Sequence, residues 1–180
     1  MRILAYCDKR YELVTREAVV GWEADCLTSP PVFAGTFSPD WFQGYEFIYL
    51  DIHGQPSSVY LYSGPNQEWA ALSLKTVEAA RIDGAVIFAT TCFLPETKFL
   101  EAFLKAGARA VVAGEGENYA GRKNPAGAQS LAGQFVRQLE LGLSPETALE
   151  QAKTKLRKPL LSKLIKQQAV NDALAFKLWK

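Results

Sequence analysis

Apolar residues along this chain fall into short unbroken runs separated by longer mixed stretches. Residues 3–7, 45–52, 85–89 and 110–113 are nearly continuous in Ile, Leu, Val, Ala, Phe and Tyr. Runs of that length, without alternation, predict strands covered on both faces. Residues 13–22 read as a further strand, carrying Val14, Ala18, Val19 and Val20. Residues 57–63 alternate and predict an exposed strand or hairpin arm. Helical spacing occupies the gaps. Residues 69–82 carry Leu72, Val77, Ala79 and Ala80; residues 96–106 set Phe99, Leu100, Phe103 and Leu104 on one stripe before Gly107. Leu131, Phe135 and Leu139 recur at every fourth position, and Gly142 ends that helix. Ser144, Pro145 and Glu146 then read as N-cap, first helical residue and acidic first turn, with Pro159 stopping the helix near Lys158. A last helix is expected over 160–178. Strands alternating with helices predict an α/β protein, a three-layer α/β/α sandwich with a mainly parallel sheet. Residues 1–158 are expected to form the domain, and residues 159–180 a basic C-terminal helix packed on it or extending it.

Composition narrows the classes. The 180 residues are 48% hydrophobic and 22% charged, with a net charge of +1. That is the profile of a globular chain without a global field for nucleic acid or membrane. No apolar run reaches the length of a membrane span. Three cysteines without disulfide spacing, and an N-terminus interrupted by Asp8, fit a reducing cytoplasm. No Cys/His cluster has metal-ligand spacing, and no cofactor motif is present. Charge is divided, however: residues 153–180 carry eight basic side chains against Asp172 alone, after an acidic body. A regulatory protein partner is one reading of that division and a solvated face the other.

Sites on parallel sheets form beyond the carboxyl ends of the strands. Asp8, Lys9 and Arg10 follow the first run, and His53 and Gly54 the second. Cys92 follows the third, and Glu115 and Glu117 lie beyond the fourth. The chain's only His and one of its three Cys thus fall at matching ends of two strands. An imidazole beside a thiol supplies what an ordinary thiol lacks, a base to make the nucleophilic thiolate. The N–H groups of Gly54 and Cys92 are placed to face a tetrahedral oxyanion. Asp8, Glu115 and Glu117 are candidates for an acidic substrate pocket, while Lys9 and Arg10 would favour an acidic side chain instead.

The order of these motifs resembles the caspase-like (clan CD) cysteine peptidases, and among them the CHAT domains. The residues that carry the resemblance are Phe47 through Gly54 (FIYLDIHG), Val59 through Gly64, Ala85 through Cys92 (AVIFATTC), and Phe103 through Val112. The segment from Phe135 to Ala152 resembles the family too, and His53 and Cys92 lie 39 positions apart. The resemblance implies a caspase-like sheet and a His53/Cys92 dyad cleaving peptide bonds through an acyl-thioester, with a peptide or protein as substrate. Two alternatives stand beside it. One is a catalytically silent CHAT-like interaction module; the other is a different cysteine hydrolase on a flavodoxin-like sheet.

Overall fold

The computed structural model describes residues 1–157 and 167–180. Strand β1 (Arg2–Asp8) pairs in parallel with β2 (Glu23–Ser29) on one side and with β3 (Phe47–Asp51) on the other. β3 pairs in parallel with β6 (Val86–Ala89), and β6 with β7 (Ala110–Ala113). β8 (Lys177–Trp179) closes the edge antiparallel to β7. The six-stranded order is β2-β1-β3-β6-β7-β8, and a hairpin of β4 (Tyr60–Ser63) and β5 (Trp69–Ser73) stands apart from it.

Period-two alternation along the strands builds two cores at once. Leu4, Tyr6, Ile48, Leu50, Ile87 and Val111 face α2 (Leu74–Glu78), α3 (Phe99–Lys105) and the hairpin. Their neighbours Ile3, Ala5, Phe47, Tyr49, Phe88 and Val112 face the other layer. That layer contains α4 (Gly127–Glu140), α5 (Pro145–Leu156) and α6 (Gln167–Leu174). Phe135 of α4 is fully buried, its ring centroid 6.1 Å from Phe47 and 5.5 Å from Phe88. Burying one such ring contributes about 1.5–3 kcal/mol. The result is the expected three-layer α/β/α sandwich.

Three local expectations differ from the structure. Residues 13–22 do not supply a strand: Glu12–Ala18 is a helix, α1, that buries Val14 and Ala18 four positions apart. The second strand lies later, at β2. The helix expected from residue 69 begins only at Leu74, because residues 69–73 are the return arm of the hairpin and Ser73 caps α2 by accepting from the Thr76 N–H. The expected last helix ends at Leu174. Phe176 is buried against Phe88 at 5.4 Å, which pins the turn from which β8 joins the sheet. The remainder of that expected helix, at 158–166, lies outside the described residues. By contrast, the Ser144 cap, Pro145 at the helix start and the left-handed Gly142 (φ +79°) occur as expected.

Candidate active site

The ladder between β3 and β6 pairs Phe47 with Val86 and Leu50 with Ala89. Counted three residues past the last pair of the ladder, His53 and Cys92 occupy equivalent positions in the two chain segments. Beyond the sheet His53 leaves toward the hairpin, exchanging backbone hydrogen bonds of 2.8 Å in both directions with Tyr62. Gly54 shows how close the two strand ends come. A Cβ added there would stand 2.0 Å from the Cys92 carbonyl oxygen and 2.7 Å from the Thr91 methyl. Only glycine fits at that crossing. Among the described residues, the N–H groups of Gly54 and Cys92 donate to no other residue. After Cys92 the chain turns sharply: Phe93 holds φ +57°, costly for an aromatic residue, with its N–H on the Gly116 carbonyl at 2.7 Å.

The thiol and the imidazole each have other partners. Cys92 Sγ accepts from the Asn118 N–H at 3.2 Å and donates to the Asn118 carbonyl at 3.6 Å. Burial pushes the thiol pKa up, the Asn118 N–H pulls it back, and the charge of Glu117 raises it again. On the imidazole, Nε2 meets Arg10 Nη2 at 2.6 Å and Asp8 Oδ2 at 3.4 Å. Tyr11 packs edge-on, with 5.5 Å between ring centroids. These groups come together because β1 is next to β3 in the sheet and ends at the same level.

Asp8 is the anchor of this corner and is 1% exposed. Its carboxylate takes the Arg10 fork, with Nε at 3.0 Å and Nη2 at 2.7 Å, and the backbone N–H groups of Arg10 and Gly64 at 2.8 Å each. Burial alone would raise its pKa. Its contact with the His53 ring and the hydrogen bonds from Arg10 and Gly64 outweigh that and hold the carboxyl well below its ordinary 3.8. Such a group adds stability above its unfolded pKa and loses it as the pH falls toward its folded pKa. Asp8→Asn is therefore expected to be less stable than the wild type near neutrality. The gap should begin to narrow as the pH falls below about 4 and go on narrowing toward the folded pKa. Urea unfolding of both proteins across that range checks this; a gap independent of pH would refute it.

A second carboxylate lies beneath the site. Asp51 ends β3, opposite Cys7 in β1, and is 2% exposed. Thr15 of α1, Thr90 after β6 and Gln129 in the first turn of α4 donate to it at 2.8, 2.6 and 2.9 Å. Burial raises its pKa despite these three donors. Asp51 thus ties α1 and α4 to the strand that leads to His53. Sequence reading passed over it, although a charged residue inside an otherwise apolar strand was the available signal. Asn118 and Gly64 were also missed; they sit in loops whose approach to the site only the fold creates.

The structure does not gather Asp8, Glu115 and Glu117 into one free acidic pocket. The Arg10 fork occupies Asp8, and Lys177 of β8 binds Glu115 at 2.8 and 2.9 Å. Glu117 alone remains without an ion pair among the described residues, exposed in the loop beside the Cys92 thiol. Cys7 is buried, its pKa pushed up to about 12 chiefly by desolvation, and Cys26 is likewise a free thiol, half-buried. Among the described residues no cluster has the make-up of a metal site, and no helix is long and apolar enough to cross a membrane.

No family model matches the sequence, and no curated protein matches it either. Among solved structures, the Arg-specific cysteine proteinase gingipain R (RGPB) superposes with a TM-score of 0.60 over 98% of this chain, at 12% identity. The chain spans 45% of that proteinase chain. The likeness shows the fold: an α/β sandwich around a mainly parallel sheet, shared with that proteinase.

Proposed function

We propose that the protein is a cysteine endopeptidase in which Cys92 is the nucleophile and His53 its acid and base. One observation carries this reading. The only imidazole and a partly buried thiol stand at register-equivalent positions past adjacent parallel strands, with the backbones in contact at Gly54. The proposed course is acyl transfer. The thiol proton passes to His53, the thiolate adds to the peptide carbonyl, and the amine leaves with that proton. Water then cleaves the thioester. The Gly54 and Cys92 N–H groups, which donate to no other described residue, are the proposed oxyanion donors, each worth a few kcal/mol in the transition state. Glu117 is the group here best placed to favour a basic side chain at P1, and Asp8 would serve only in competition with Arg10. The order of elements and the His-Gly and Cys positions further support a place near the CHAT domains. The C-terminal segment, through β8 and the Lys177–Glu115 pair, belongs to the same folded unit in this reading.

A second reading, the silent interaction module, is favoured by the thiol's bonds to Asn118 and by its raised pKa. A thiol-reactive peptide probe separates the two. The peptidase reading expects labelling of Cys92 in preference to Cys7 and Cys26, and loss of that preference in His53→Ala. Equal labelling of all three cysteines, with no peptide cleaved from a diverse library, would reject it.

A further inference from the structure

Arg10 Nη2 carries two hydrogens and faces three acceptors: Gly64 O at 2.6 Å, Asp8 Oδ2 at 2.7 Å and His53 Nε2 at 2.6 Å. A guanidinium donates and never accepts, so its contact with the imidazole has only one sense: Nε2 accepts. In the neutral ring the proton then lies on Nδ1. An imidazolium, protonated at both nitrogens, would set N–H against N–H. Asp8 Oδ2, 3.4 Å from the same Nε2, makes the opposite demand, since a carboxylate can only accept. Two groups with conflicting requirements therefore compete for one ring nitrogen.

We infer that Arg10 is a positioning residue that sets the protonation state of the dyad. Docked on Nε2, it holds His53 as the Nδ1–H tautomer, in which neither nitrogen can receive the Cys92 proton. Withdrawn, it leaves Asp8 to accept from Nε2–H. Nδ1, which makes no hydrogen bond among the described residues, becomes the basic nitrogen. The S–H proton can then move to Nδ1, giving a thiolate and an imidazolium that Asp8 stabilises. Arg10 is built to hold and to release. Its fork is bidentate on Asp8, and its cation lies 5.6 Å from the Tyr11 ring centroid, yet its side chain is 20% exposed and reachable from outside. The other charge near the guanidinium is Glu68, whose carboxylate already takes the Asn66 N–H at 2.8 Å. The arrangement is that of a resting site whose base is capped by its own chain. This inference rests on the peptidase reading for its purpose but not for its test.

One histidine in the chain means one set of ring-nitrogen signals. In the 15N-labelled full chain at about pH 8, above the ordinary imidazole range, the wild type is expected to show the Nδ1–H pattern. Arg10→Met, which keeps length and loses the donor, should show Nε2–H. Its Cys92 should react with iodoacetamide roughly tenfold faster than in the wild type. Arg10→Leu, which also lacks a donor, should move the same way and serves if the Met variant does not fold. A wild type carrying Nε2–H, which needs no variant to detect, overturns the inference. So does a tautomer unchanged in the variants, or a changed tautomer with Cys92 reactivity unaltered. Failure of the peptidase reading looks different: the tautomer and thiol reactivity shift with Arg10, yet no peptide is cleaved by any form.

Discussion

Cys92→Ala is expected to abolish peptide cleavage, with a loss on the order of 10³-fold or more, while the protein stays folded. The two halves have separate causes. Cleavage is lost because neither other thiol is ready to act: Cys7 is buried, with its pKa pushed up to about 12, and burial raises the pKa of Cys26 as well. The fold survives because Cys92 follows β6 rather than lying in it, and its sulfur bonds only to the Asn118 backbone. Removing one partly buried sulfur costs about 1 kcal/mol, or about 2–4 °C in Tm at this chain length. Peptide turnover and thermal unfolding of the same preparation check both halves. A variant that unfolds would make Cys92 a core residue; a folded variant that still cleaves would place the nucleophile elsewhere. His53→Ala should match the loss of turnover, since residues acting as one unit are not additive.

Gly54→Ala carries the largest expected effect on structure and activity together. The added methyl would stand 2.0 Å from a backbone oxygen, and no flexible side chain is there to yield. Either the ends of β3 and β6 separate or the loop after Cys92 shifts. Overpacking of this kind costs about 1–3 kcal/mol, and this contact belongs at the upper end. The corresponding drop in Tm is about 6–12 °C. Because the same shift moves the thiol relative to the imidazole, turnover should fall by about 10² even in the molecules that remain folded. Gly35→Ala is the control: nothing lies within 4 Å of its added Cβ. It should leave stability within about 0.5 kcal/mol and turnover unchanged. Equal behaviour of the two variants in calorimetry and in turnover would show that the strand ends are not in contact.

Within the sequence alone, the apolar runs of β1, β3, β6 and β7 were legible because a strand covered on both faces admits almost no polar residue. The caps of α5 were legible because Ser, Pro and Gly act through local backbone geometry. His53 and Cys92 were legible as a pair for the same local reason: each directly follows such a run. The swap of strand for helix near residues 13–22 and 69–73 marks the limit. Short stretches of Val, Ala and Leu satisfy either period, and the partner surface decides between them. Arg10, Asp51, Gly64 and Asn118 lie further still from what a linear reading can reach. Their roles exist only because β1 is placed beside β3, the hairpin turn folds onto Asp8, and the loop after β7 closes over Cys92. Whether Asp8 binds a substrate cation or its own neighbour Arg10 is likewise a matter of geometry. Chain order puts the two residues side by side, but the carboxylate's burial and the second acceptor at Gly64 turn the fork inward onto His53. The sequence determined which side chains arrive at the sheet's carboxyl edge; the tertiary structure alone decided which of them are already engaged, because partner choice at close range depends on distances that no sequence pattern encodes.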